Sequence, residues 1–164
     1  MTDWEFSTDI DFKLVFDCMP GMCLVLDPSF NILAQNLDHA LATLSMAQNV
    51  IGKNLFEAFP DRDDSGASGV AAVRKSLVTV LKTRKPDIMP IIRYDVRGAR
   101  GPFEARYWKI GNYPLLDANG YVRWILNRAE DVTELVALRQ ERDSRTGQPD
   151  AGKSGTLHSP QRGE

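Results

Sequence analysis

Apolar positions along this chain follow two rhythms, and the change from one to the other divides it. Up to residue 85 they recur every three or four positions, broken once by a pair of short apolar runs; beyond Pro86 the period becomes two. In IDFKLVFDCM, residues 10–19, Ile10, Leu14, Val15 and Cys18 fall at helical spacing and Pro20-Gly21 supplies a stop, which predicts a short amphipathic helix. MCLVLD and NILAQN flank the turn-forming Pro28-Ser29 and predict an antiparallel hairpin. The stretch DHALATLSMA opens on Asp38 as the expected N-cap and lays Leu37, Ala40, Leu41 and Leu44 on one stripe, a second helix. NLFEAFPD supplies one or two turns with Leu55, Phe56 and Phe59 facing inward, ended by Pro60. Val70 to Thr83 is the longest helical pattern, with Val70, Val73, Leu77, Val80 and Leu81 on a common face and cationic Lys82, Arg84 and Lys85 suited to its C-terminus.

After Lys85-Pro86 come DIMPIIRYDV, FEARYWKIGNYPLLD and YVRWILNRAED, rich in β-branched and aromatic residues and separated by RGARG and the sharp DANG turn. They predict three antiparallel strands in meander order. A last helix is expected from Thr133 to Arg142, with Glu134 in its first turn and Arg139 and Arg142 near its end. Two strands, several small helices and three long strands make an α+β fold, a five-stranded antiparallel sheet with helices packed on one face. The expected boundaries are an N-terminal tail over 1–9, the domain over 10–142 and a disordered tail over 143–164.

Composition narrows the function. A chain of 164 residues that is 43% hydrophobic and 26% charged suits one soluble domain with tails. A net charge of −2 and no basic run give no field for a nucleic-acid backbone. The apolar runs fall short of the ~20 residues of a membrane span, and MTDWEFSTD is acidic where a secretion signal is basic, so the expectation is a cytoplasmic protein with neither membrane nor nucleic acid as partner. Cys18 and Cys23 have neither redox nor zinc spacing and read as buried reduced thiols. GQPDAGKS, Gly147 to Ser154, fits the phosphate-loop pattern, yet no apolar strand precedes it and no helix has room to follow, so it reads as tail. Two histidines, His39 and His158, supply neither a nucleophile with its base nor a metal cluster, and the acidic residues Glu57, Asp61, Asp63 and Asp64 read as solvent-facing; an enzyme is not expected.

The element order, the D-x-x-F turn at Asp27 to Phe30, IGKNLFEAFPD, the Asp-x-x-Gly turn at Asp117 to Gly120 and EDVTE at Glu130 to Glu134 together resemble a PAS domain, above all the input modules of bacterial sensor histidine kinases. The resemblance covers Asp11 to Arg142. It implies the PAS fold, a small ligand or cofactor held between sheet and helices, pairing as a homodimer or as a heterodimer with a signalling protein such as a histidine kinase, and output through a flanking helix. Asp131 and Thr133 would cap that helix and relay the signal. No cofactor can be named: the long helix lacks the histidine of the haem-binding members, the asparagine-cysteine-arginine cluster of flavin photoreceptors is absent, and His39 beside Asp38 reads as a solvated helix-start residue rather than a metal ligand.

Strand alternation places Ile125, Asn127 and Ala129 on one face and Trp124, Leu126 and Arg128 on the other. Similarity to the family turns Ile125 and Asn127 inward and leaves Trp124 and Leu126 outside, to pair with a second copy or to dock the first helix with its Leu14. In the preceding strand Arg106, Trp108, Ile110 and Asn112 share a face, with Tyr107 opposite. A buried asparagine needs a partner: a ligand, a water or a neighbour such as Tyr94. The expected ligand-binding residues are therefore Tyr94, Trp108, Asn112, Ile125 and Asn127, and the expected dimer interface holds Leu14, Trp124 and Leu126. The competing reading is a filled core and a ligand-free dimerisation adaptor, with haem- or flavin-based redox or gas sensing as a third.

Overall fold

The computed structural model describes residues 9–60, 69–93, 96–97 and 103–146. Helix α1 (Phe12–Asp17) starts where the Asp11 carboxylate accepts from the amides of Lys13, 3.0 Å, and Leu14, 3.1 Å. It buries no side chain, so Leu14 and Cys18 are both exposed. That corrects the expectation for Cys18; only Cys23 is a buried thiol, and both are free.

Strands β1 (Met22–Leu26) and β2 (Ile32–Gln35) form the predicted hairpin. Its turn is built by Asp27, whose carboxylate accepts from the amides of Ser29, 2.8 Å, and Asn31, 2.9 Å, while Phe30 takes a left-handed φ of 69°. Helix α2 (Leu37–Thr43) follows, capped by Asn36 and not by Asp38. Asp38 instead accepts from the Gly21 amide at 2.9 Å. A short α3 (Ala47–Val50), which the sequence reading missed, leads to α4 (Leu55–Ala58), capped by Asn54. Helix α5 (Gly69–Thr83) is the long helix expected, with Leu77 and Val80 fully buried.

The expected third strand is interrupted at Met89-Pro90 into β3 (Asp87–Ile88) and β4 (Ile92–Arg93), because proline lacks the amide a continuous ladder needs. β5 (Val96–Arg97) and β6 (Phe103–Glu104) make a separate two-stranded ribbon. β7 (Tyr107–Leu116) and β8 (Val122–Asp131) are ten-residue strands joined by a turn that repeats the first one: Asp117 accepts from the amides of Asn119 and Tyr121, each at 2.9 Å, and Gly120 takes φ 78°. The main sheet runs in the order β2-β1-β8-β7-β3, antiparallel throughout, with β4 also against β7. On the free side of β2, Ile32 bonds Lys53 and Gly52 through the main chain at 2.9 and 2.8 Å.

Leu24, Leu26, Ile32, Leu77, Val80 and Ile125 are fully buried between sheet and helices. Truncating any one of these leucines or isoleucines to alanine costs on the order of 2–5 kcal/mol. Helix α2 does not face this core as expected. Its Leu37, Leu41 and Leu44 are exposed, Leu41 at 64%, and the residue it buries is His39. The helix is held by Asn36, whose Oδ1 accepts from the amides of Cys23, 2.8 Å, and His39, 3.1 Å, while its Nδ2 donates to the carbonyls of Gly21, 2.9 Å, and Met19, 3.2 Å. Those four bonds fix the rotation of α2 and overrule its leucine stripe.

Contacts divide the chain into a first unit through Thr133 and a second from Glu134. The helix α6 (Thr133–Thr146) extends four residues beyond the expected end at Arg142, with Glu134 in its first turn and Arg145 in its last, both favourable to the helix dipole. Among the described residues no helix is long and apolar enough to cross a membrane. The phosphate-loop match at Gly147 to Ser154 lies outside the described residues.

Candidate functional site

A cavity of about 130 Å³ lies between the sheet and helices α2, α4 and α5. The inward faces of the strands form its floor, through Leu24, Trp108, Ile110 and Ala129; Phe56, Phe59 and Val73 form its roof. These walls are apolar because period-two alternation in β7 and β8 sends every second side chain to the helix side. Phe56 is itself fixed, its ring edge against Phe30 at 6.0 Å and the Arg74 guanidinium over its face at 3.9 Å. An apolar cavity of about this size is large enough for a benzene ring.

Two buried polar side chains reach this lining from opposite layers, beside the half-buried Thr43. From the helix layer comes His39, its ring set edge-on to Phe59 at a centroid distance of 5.2 Å. Its Nδ1 is 2.9 Å from Gln35 Nε2, which also donates to Ser45 Oγ at 2.8 Å. Burial pushes the His39 imidazole down from the ordinary 6.5 to about 4, so it is neutral near pH 7. The expected solvated histidine is thus corrected: the ring is buried because Asn36 turns its face of α2 inward.

From the sheet comes Asn127. Its Nδ2 donates to Asn112 Oδ1 at 2.7 Å, Asn112 Nδ2 donates to Ser76 Oγ at 2.8 Å, and Ser76 Oγ bonds the Asp87 carboxylate. This relay crosses from β8 through β7 to α5 and β3. Ser76, which the helical reading left out of the core, shares the buried face of α5 with Leu77 and Val80; its spacing from Val73 and Val80 was the available signal.

Of the sequence-derived ligand residues, Trp108 and Asn127 line the cavity. Asn112 is fully buried one hydrogen bond behind Asn127, satisfied by neighbours, and Ile125 is fully buried in the larger core cluster; neither reaches the lining. Tyr94 lies outside the described residues. His39, Thr43 and Phe59 are lining residues that sequence reasoning did not propose for this site. Among the described residues no group of three or more His, Cys, Asp or Glu side chains is placed to hold a metal.

On the opposite face of the sheet, Trp124 is exposed with the Arg123 guanidinium 4.7 Å from its ring, and Leu126 is half-buried. At the end of β8 the Asp131 Oδ1 accepts from the Thr133 amide at 3.0 Å and from the Thr133 hydroxyl, while its Oδ2 accepts from Arg106 at 2.8 Å. Thr133 Oγ1 in turn accepts from the Tyr107 amide at 3.0 Å. Burial alone would raise the Asp131 carboxyl; the bonds from Thr133 and Arg106 and the arginine charge outweigh it and hold the carboxyl below its usual value. Arg106 is therefore bound to the end of β8 and stands outside β7, not on the inward face of Trp108 where alternation would place it.

A family model described as the PAS fold matches residues 16–137. The chain belongs to the PAS family. As a PAS domain it is a sensory, signal-transducing type of module. Similar solved structures share its fold at low identity. A sensory box sensor histidine kinase from Vibrio cholerae aligns at 16% identity with a TM-score of 0.53, over 74% of this chain and 89% of that one. The PAS domain of BvgS from Bordetella pertussis aligns at 18% and 0.51, over 83% and 96%. The histidine kinase ThkA, in complex with the response regulator TrrA, aligns at 18% and 0.57, over 86% of this chain and 36% of that one. No curated protein matches the sequence.

Proposed function

We propose that this PAS domain is a non-enzymatic sensor that takes up a small molecule in the cavity between its sheet and helices and relays the change to a partner. The observation that carries this reading is an apolar cavity of about 130 Å³ into which two buried polar side chains, His39 and Asn127, are built. Core packing does not require such groups, since apolar residues of the same volume fill a core without a desolvation cost. Trp108 and Asn127 are the lining residues that face the ligand, with Asn112 holding Asn127 from behind. Asp131 and Thr133 serve as the relay, because one carboxylate ties the end of β8 both to Arg106 and to the first residue of α6. The likeness to histidine kinases supports a signalling partner of that kind for this cytoplasmic domain.

The second reading, a ligand-free pairing module, is favoured by the exposed Trp124 beside half-buried Leu126 on the outer sheet face, and by exposed Leu14 on α1. Native mass spectrometry of the protein purified from its own host separates the two. A bound small mass, absent from an Ala129→Leu variant that fills the cavity, supports the sensor. A dimer without bound mass that Trp124→Ser dissociates supports the pairing module and overturns the first reading.

A further inference from the structure

His39 and Asn127 are 6% and 7% exposed, and each closes a chain of hydrogen bonds whose direction is fixed from its far end. On the helix side the anchor is a peptide carbonyl. Thr43 Oγ1 donates to the His39 carbonyl at 2.7 Å, so the contact of 2.6 Å between Thr43 and Ser45 must carry the serine proton. Ser45 Oγ then accepts, which sets the NH2 group of Gln35 towards Ser45 and equally towards His39 Nδ1. Nδ1 is therefore the acceptor and the ring proton sits on Nε2, which has no hydrogen-bond partner among the described residues.

On the sheet side the anchor is a carboxylate. Asp87 accepts the Ser76 proton, Ser76 accepts from Asn112 Nδ2, and Asn112 Oδ1 accepts from Asn127 Nδ2. Asn127 is left with Oδ1 as its open group, again without a hydrogen-bond partner among the described residues. The cavity thus offers one N–H donor and one carbonyl acceptor, both of set sense, between apolar walls.

We propose that the cavity selects a neutral, single-ring-sized molecule bearing a hydroxyl group, or an equivalent donor and acceptor, read by His39 Nε2–H and Asn127 Oδ1. The proposal deepens the sensor reading and rests on it. A charged ligand is disfavoured because the described lining holds no counter-charge and an ion desolvated there finds only neutral dipoles. A purely apolar ligand forfeits both hydrogen bonds and leaves two buried polar groups unmatched.

Phenol, toluene and benzoate, nearly equal in ring size, separate these cases by chemical-shift titration of the 15N-labelled protein. An apolar cavity prefers toluene, which sheds its water more readily than phenol. The expected result is the reverse: phenol binds at least about tenfold more tightly than toluene, the worth of one net hydrogen bond in a buried site. Benzoate is expected not to bind. The His39 Nε2 proton should shift with phenol and not with toluene, and His39→Phe should restore the preference for toluene. Equal or tighter toluene binding in the wild type overturns the inference while leaving the ligand cavity standing, and so does preferred binding of benzoate. If none of the three binds, the ligand-sensor reading falls with it. The wild-type ratio and the Nε2 shift decide the matter even if His39→Phe fails to fold.

Discussion

Acidification should weaken this fold through one side chain before any carboxylate responds. His39 is neutral and buried, held at about 4 where an exposed histidine stands at 6.5. Between those values the unfolded chain binds a proton that the folded chain refuses, so stability is full above about pH 6.5 and falls as pH drops towards 4. At about 1.36 kcal/mol for each tenfold change in proton affinity, the whole gap is worth about 3 kcal/mol, of which about 2.5 kcal/mol is gone by about pH 4.5. Asp27 and Asp131, whose carboxyls stand below their usual values, lose their contribution at still lower pH. The assay is urea unfolding, followed by far-ultraviolet circular dichroism from about pH 7.5 to about pH 4.5, on wild type and His39→Phe. The variant has its own fixed offset in stability, so the quantity that matters is the difference between the two curves. It should close by about 2.5 kcal/mol in favour of the variant as pH falls. Two curves that stay parallel to within about 0.5 kcal/mol would show that His39 is not buried in the neutral state, and the direction of its hydrogen-bond chain would lose its basis.

Two further substitutions test how the frame is held. Asn36→Ala removes the cap of α2 and leaves the buried Cys23 amide without its side-chain acceptor; about 1 kcal/mol for the cap and about 2 for the stranded amide predict a loss of about 3 kcal/mol by urea unfolding, and a loss below about 1 would mean that α2 is positioned by something else. Gly120→Ala meets no atom within 4 Å, so only its φ of 78° resists the added methyl; thermal unfolding should register a cost of about 1 kcal/mol, and a neutral result would remove the left-handed turn from the account.

The strands and the two Asp-led turns were legible because each is written locally. Alternation in YVRWILNRAED sorts Ile125, Asn127 and Ala129 from Trp124 and Leu126, and the structure buries the first set. The rotation of helix α2 is not legible in its own stripe because residues remote in sequence decide it: Asn36 bonds to Met19, Gly21 and Cys23, and no periodicity within the helix reports that. A weaker signal was present. Gln35, His39 and Thr43 recur every four residues, a polar column opposite the leucines. The asparagine relay was half visible, since a buried Asn112 demands a partner, but pairing with Asn127 depends on strand register and pairing with Ser76 on how α5 crosses the sheet. The break at Met89-Pro90, which divides the one strand expected there, is written in the proline alone.

That break and the bonding of β2 have a joint consequence for association. An open strand edge lets almost any extended segment add to a sheet through main-chain bonds that ignore sequence. Here one rim is occupied at Ile32 by the Gly52–Lys53 backbone and the other is cut into two-residue pieces around Pro90. Recruitment by strand addition is thereby discouraged at the described rims, and the proposed partner would have to be recognised through side chains on a face. Selectivity for a partner bound that way would rest on individual side chains, which point substitution alters without rebuilding the sheet.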